Sequence, residues 1–164
     1  MVNPTNPQSP ASANAGAPRR VVIVGGVAGG ASCAARLRRL DESSEILMID
    51  RGPYVSFANC GLPYYVGNVI ADERKLLVAS RELFHERFNI NVLTETEVTG
   101  IDRDACTIVV RDMRTGHTRL ERYDVLVLSP GAAPIRPALP GVDLPGVFAV
   151  RTIPDTRRIR SWIA

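Results

Sequence analysis

Arg19-Arg20-Val21-Val22-Ile23-Val24-Gly25-Gly26-Val27-Ala28-Gly29-Gly30 is the stretch on which the fold turns. A basic pair leads into a short β-branched run, the pattern of a parallel strand buried on both faces. A glycine-rich turn follows at once. From Ala31 to Leu40 the residues Ala34, Leu37 and Leu40 recur at helical spacing among arginines, which predicts an amphipathic helix opening inside the turn. Ile46-Leu47-Met48-Ile49 then predicts a second buried strand, ending at Asp50. The unit is β-turn-α-β.

Such a unit suits a dinucleotide, because a helix amino terminus exposes unpaired amides and the positive end of a dipole. Against the fingerprint G-x-G-x-x-G the chain supplies Gly25 and Gly30 at the outer positions and Val27 at the middle one, with Ala28 and Gly29 between. Asp50, twenty residues after Gly30, stands where an acid can accept from ribose hydroxyls. The plainer alternative is a tight strand-to-helix connection with Asp50 as a loop cap. The context of strand, turn, helix and acid favours the dinucleotide.

Working outward, 164 residues with 45% apolar content can bury one core. The net charge of +3 comes from arginines interspersed with acids, without the paired basic and aromatic platforms of a nucleic-acid binder. Residues 1–18 are dominated by Pro, Asn, Ser, Ala and Gly, a composition that predicts a loose tail. No apolar stretch of secretory type precedes Val21, and no run approaches the roughly 20 apolar residues that a membrane span requires. Cys33, Cys60 and Cys106 lack paired spacing, so neither a disulfide framework nor a metal site is indicated. A reducing cytoplasm fits such a set.

Beyond Asp50, Pro53 to Tyr65 mixes turn residues with aromatics, and Glu73 to Asn89 reads as helical in two pieces around Ser80. Strands are predicted at Ile90–Thr94, Val98–Ile101, Cys106–Arg111, Thr118–Tyr123 and Val125–Leu128, with a turn at Thr115-Gly116. The expected arrangement is α/β: a meander inserted between two strands of a parallel sheet. Thr152-Ile153-Pro154-Asp155 has capping-box spacing, so a final helix should start near Ile153. That helix carries no terminator before Ala164, and the expectation is that the architecture continues.

The segment Ser56-Phe57-Ala58-Asn59-Cys60-Gly61-Leu62-Pro63-Tyr64-Tyr65 resembles the active-site stretch of coenzyme A-disulfide reductases and their persulfide-reducing relatives, within the FAD-dependent pyridine nucleotide-disulfide oxidoreductases. Their first glycine turn also carries valine at the middle position, and the likeness runs from about Arg19 to Ala164. Physically, Pro63 fits only early in a helix, which puts Cys60 near a helix amino terminus, where a thiolate is favoured. Cys33, within the first helix, and Cys106, in a predicted strand, read as structural thiols.

The resemblance implies a Rossmann-like FAD-binding domain over residues 19–164, truncated before the nicotinamide-binding domain. NAD(P)H would be the electron source and Cys60 the single redox cysteine, taking its second sulfur from coenzyme A disulfide or a persulfide. It implies flavin contacts at Gly25, Val27, Ala28, Gly29, Gly30, Asp50 and Arg51, a backbone adenine contact at Val98, and a second flavin motif at Ser129-Pro130-Gly131-Ala132. Coenzyme A contacts fall at Ser32, Arg36, Arg39, Ser56 and Asn59. Ser32, Arg36 and Arg39 also share one helix face by spacing alone, which would otherwise read as a solvated basic face. A basic residue that relatives carry near Phe88 is missing, although Arg87 adjoins it. Full-length relatives are homodimers, and the 164 residues alone should hold FAD weakly and not turn over. The competing readings are an NADH oxidase or peroxidase type cycling through a cysteine sulfenic acid, a nucleotide-binding module without redox chemistry, and a non-catalytic interaction domain.

Overall fold

The computed structural model describes residues 18–164, so the tail expected at 1–18 lies, apart from Pro18, outside the described residues. Along the chain run β1 (Arg20–Val24), α1 (Gly29–Leu40), β2 (Glu45–Ile49), α2 (Leu62–Val66), α3 (Arg81–Phe88), β3 (Ile90–Leu93), β4 (Thr96–Asp102), β5 (Thr107–Asp112), β6 (Thr118–Arg122), β7 (Val125–Leu128) and α4 (Ile153–Ile163). Short 3₁₀ turns at Asn59–Gly61 and Glu73–Leu76 precede α2 and α3.

The strands form two sheets. A parallel sheet has the order β3-β2-β1-β7, and a three-stranded antiparallel meander has the order β4-β5-β6. The meander is inserted between β3 and β7, as the turn signals predicted. Side chains of the parallel sheet alternate between two cores. Val21, Ile23, Ile46, Met48, Ile90 and Val92 pack against Ala31 and Ala34 of α1 and Phe84 of α3. Val22, Leu47 and Ile49 pack instead against Ile108, Val110 and Tyr123 from the meander side.

Burial on both faces explains why β1 and β2 read as unbroken apolar runs and not as alternating ones. Each such side chain contributes about 1.5–3 kcal/mol on leaving water. A third, smaller cluster joins Leu62, Leu76 and Ile153 beneath the segment that contains Cys60.

Two predicted boundaries shift. Cys106 is not in a strand: it occupies the turn before β5 with φ of +51°, and β5 starts at Thr107. β4 begins earlier than expected, at Thr96, and is bulged between Val98 and Gly100. The break expected at Ser80 is the amino-terminal cap of α3, whose hydroxyl accepts from the Leu83 amide at 3.2 Å. β1 lies between β2 and β7, so the chain leaves it on one side and returns on the other. The carboxyl ends of these strands therefore flank a topological switch point, where open α/β sheets hold ligands.

Candidate active site

The glycine turn is the floor of this crevice. Gly25 adopts φ of +94°, and its amide donates to the Ile49 carbonyl at 2.7 Å. A β-carbon at Gly25 would lie 2.0 Å from the Ser129 carbonyl oxygen, and one at Gly30 would lie 1.7 Å from that of Gly25. Both glycines are therefore set by close backbone approach: one against β7, the other between α1 and the turn. α1 has Ala28 as its amino-terminal cap, with no side-chain cap and no acid in its first turn. Its first bond runs from the Ser32 amide to the Ala28 carbonyl at 3.0 Å. The preceding amides of Gly29, Gly30 and Ala31 are thus the donors a diphosphate would need, which is the test the expected cofactor must pass.

Above the turn lies a cavity of about 390 Å³, lined by Gly25 and Val27 from the turn, Asp50 and Arg51 from the end of β2, Val98 from β4, and Gly131 after β7. Four separate segments thus bring residues that the sequence reading named as flavin contacts to one cavity. Ala28, Gly29 and Gly30 continue from the turn into α1. Neither those three nor Ser129 line the cavity: the Ser129 amide closes on the Val24 carbonyl at 2.7 Å, so this residue backs the turn.

Asp50 braces the site. One carboxylate oxygen accepts from the Gly26 amide and the other from the Gly52 amide, each at 2.7 Å. The loop-cap role is therefore present, and each oxygen keeps acceptor capacity for a further donor. Arg51 is largely exposed, 3.7 Å from Glu97, which is itself ion-paired with Arg111.

The segment bearing Cys60 is stitched to the glycine turn. The Ser56 amide donates to the Gly26 carbonyl at 2.8 Å, with Ser56 held at φ of +47°. The Ser56 carbonyl in turn accepts from the Val78 amide at 2.8 Å and the Ala79 amide at 3.2 Å. Asn59 lines the cavity, and its side-chain oxygen is buried without a hydrogen-bond partner. Cys60 follows, exposed, in the 3₁₀ turn that runs into α2, with Pro63 in the first turn of that helix. The placement expected from Pro63 is the one found. α2 has only five residues, so its dipole is small.

Ser32, Arg36 and Arg39 are exposed on α1, and among the described residues none of the three side chains is hydrogen-bonded or ion-paired. Arg38 beside them is committed elsewhere: its guanidinium donates to the carbonyls of Phe88 at 2.8 Å, Asn89 at 2.9 Å and Glu42 at 2.7 Å. Arg87 is exposed at the end of α3. Cys33 and Cys106 are half-buried against the two main cores.

The sequence reading missed one wall. Arg151, Thr152, Ile153 and Pro154 line the cavity, as do Tyr54 and Phe57. The capping box at Thr152 was legible, but nothing local showed that it would close a cavity formed about a hundred residues earlier. Among the described residues no helix is long and apolar enough to cross a membrane.

A parallel sheet with helices on one face and a meander on the other, an uncapped helix at its switch point, a braced acid and a cysteine turn beside the cavity define a dinucleotide-binding oxidoreductase fold. A family model described as pyridine nucleotide-disulphide oxidoreductase matches residues 19–162, and the chain belongs to that family, whose members use FAD and NAD(P)H. Over 144 residues it is 44% identical to a coenzyme A disulfide reductase of Staphylococcus epidermidis, covering 88% of this chain and 32% of that protein. Among solved structures it is similar to reduced CoADR-RHD of Bacillus anthracis, with a TM-score of 0.87 and 52% identity over 89% of this chain and 26% of the other. It is also similar to an NAD-dependent persulfide reductase from A. fulgidus, with a TM-score of 0.82 and 36% identity over 88% and 27%. The chain thus spans about a third of the length of the curated relative.

Proposed function

We propose that residues 19–164 are the amino-terminal FAD-binding part of a flavoprotein that reduces coenzyme A disulfide or a persulfide with NAD(P)H. In this reading the amides at the start of α1 hold the diphosphate, Asp50 meets the adenosine ribose, and Val98 and Gly131 meet the cofactor through their backbones. The complete protein acts as a homodimer in the cytoplasm. When bound, FAD supplies the two electrons that NAD(P)H delivers.

Cys60 carries the chemistry. Its thiolate attacks one sulfur of the disulfide, the sulfur–sulfur bond breaks, and one coenzyme A leaves as thiolate while the other stays as a mixed disulfide on Cys60. Two electrons and a proton then release the second coenzyme A as its thiol and restore the Cys60 thiolate. Ser32, Arg36 and Arg39 hold the substrate's phosphates along the exposed face of α1, and Ser56 and Asn59 line its approach.

The observation that carries the reading is the exposed thiol of Cys60 immediately after Asn59, a residue of the cavity wall. The test needs no cofactor. Incubated with coenzyme A disulfide, the chain should release one thiol and carry one coenzyme A adduct, mapped by mass spectrometry to Cys60. Cys60→Ser should abolish both. Adducts forming as fast on Cys33 or Cys106 would refute the assignment. A chain inert to the disulfide that instead forms a lasting sulfenic acid at Cys60 with peroxide would point to the oxidase or peroxidase type.

A further inference from the structure

α2 cannot hold itself in place. A five-residue helix containing a proline is far below the length at which a helix is stable in water. Its position, and with it that of Cys60 just before it, must be imposed from outside. The imposing element is α4. Ile153, fully buried, packs with Leu62 of α2 and with Leu76.

Two arginines of α4 add directional contacts. Arg160 donates to the Tyr65 carbonyl at 2.6 Å and to the Asn68 side chain at 3.3 Å, with its guanidinium carbon 4.5 Å from the centre of the Tyr65 ring. That combination caps the carboxyl end of α2 and stacks on its aromatic residue. Arg157 forks onto both carboxylate oxygens of Glu73, one of them at 2.7 Å, and also reaches the Tyr54 hydroxyl. Glu73 accepts from the Tyr65 hydroxyl at 3.4 Å, which closes the network. Tyr54 and Tyr65 bracket Cys60 in sequence, on its two sides. The first turn of α4, through Ile153 and Pro154, meanwhile lines the cavity.

We infer that Arg160 and Arg157 are positioning residues for Cys60, with α4 acting as a strut that fixes the cysteine turn relative to the cavity wall. The inference rests on the assignment of Cys60 as the reacting thiol. Neither arginine lines the cavity. They act through Tyr65, Glu73 and Tyr54, and their loss leaves Cys60 present and exposed but no longer held at one angle to an incoming disulfide.

The test compares the unaltered chain with Arg160→Met and Arg160→Lys. In Arg160→Met, amide hydrogen exchange across residues 59–66 should rise about tenfold while β1, β2 and α1 stay unchanged. The rate of Cys60 with coenzyme A disulfide should fall about tenfold. Arg160→Lys, which keeps the charge and one donor but not the planar fork, should recover part of both. Unchanged exchange and rate in Arg160→Met overturn the proposal, as does a rise in exchange spread evenly over all elements. An unaltered chain whose Cys60 does not react overturns the assignment of the thiol and this proposal together; one that reacts alongside an Arg160→Met chain of equal rate overturns the strut alone. Should Arg160→Met fail to fold, Glu73→Gln removes the charge that anchors Arg157 while leaving Ile153 against Leu62, and the same comparison decides.

Discussion

At the scale of single residues the turn is governed by distances that allow no side chain. A β-carbon at Gly30 would sit 1.7 Å from the Gly25 carbonyl oxygen, and no flexible group lies between to give way. Gly30→Ala should therefore destabilise the chain by about 3 kcal/mol, the upper range for overpacking, seen as a lowered urea midpoint. Gly67→Ala provides the contrast, since its β-carbon would meet only the Pro63 carbonyl at 3.5 Å and its φ of −78° suits alanine. It should change stability by less than about 0.5 kcal/mol. Equal losses for the two would refute the packing argument. Charge decides the outcome on the exposed face of α1. Because Arg36 and Arg39 make no bonds among the described residues, replacing both with alanine should leave stability unchanged. The rate of Cys60 with coenzyme A disulfide should fall roughly tenfold, and added salt should erase most of the difference. Its rate with a small neutral disulfide should not move. A rate with coenzyme A disulfide that is indifferent to both arginines would leave them as a solvated basic face.

At the scale of elements, α4 has two separable supports. The Thr152 hydroxyl and the Asp155 carboxylate form a reciprocal capping box, and Thr152→Ala should cost about 1 kcal/mol, read by thermal unfolding. The pairing of Glu73 with Arg157 is set by pH. Arg157's hydrogen bond holds the Glu73 carboxyl below its ordinary 4.5, so the pairing contributes fully above that value and is lost as the pH falls through the depressed one. Protection of residues 59–66, taken relative to the intrinsic exchange rate at each pH, should accordingly fall in acid below about pH 4.5 before the core elements open, and Glu73→Gln should remove that pH dependence. The two supports also show what could be read from the sequence. Helix spacing and the capping pattern are local, so α1 and α4 were placed within a residue or two. Cys106 and Glu95 instead turn the chain with positive φ but without the glycine that usually announces it, and the edges of β4 and β5 were misplaced there. Arg157, Glu73 and Tyr54 meet across long sequence separations, and no periodicity records such a meeting.

At the scale of the whole molecule, the candidate cavity has unequal walls. The turn, β2 and β4 rest on the two main cores, but Pro130, Gly131, Ala132 and Ala133 belong to a run from residue 130 to 150 that is almost wholly exposed. Within that run Ile135 is 92% accessible, and Leu139 and Leu144 are each 62% accessible. On its far side β7 pairs with no further strand among the described residues, leaving a row of unpaired backbone groups next to apolar surface. Two outcomes should follow for the 164-residue chain in dilute buffer. A cofactor that contacts Gly131 must order a segment with little burial to anchor it, at about 1–2 kcal/mol per residue fixed, and this offsets much of what the turn contributes to binding. FAD should therefore be retained at well under one per chain after gel filtration, as read from visible flavin absorbance. The exposed apolar run and open edge should also drive self-association, with mass by light scattering rising with concentration. Stoichiometric yellow protein that stays monomeric would mean that the cavity is complete within these residues and that the 130–150 run is held by contacts stronger than its exposure implies.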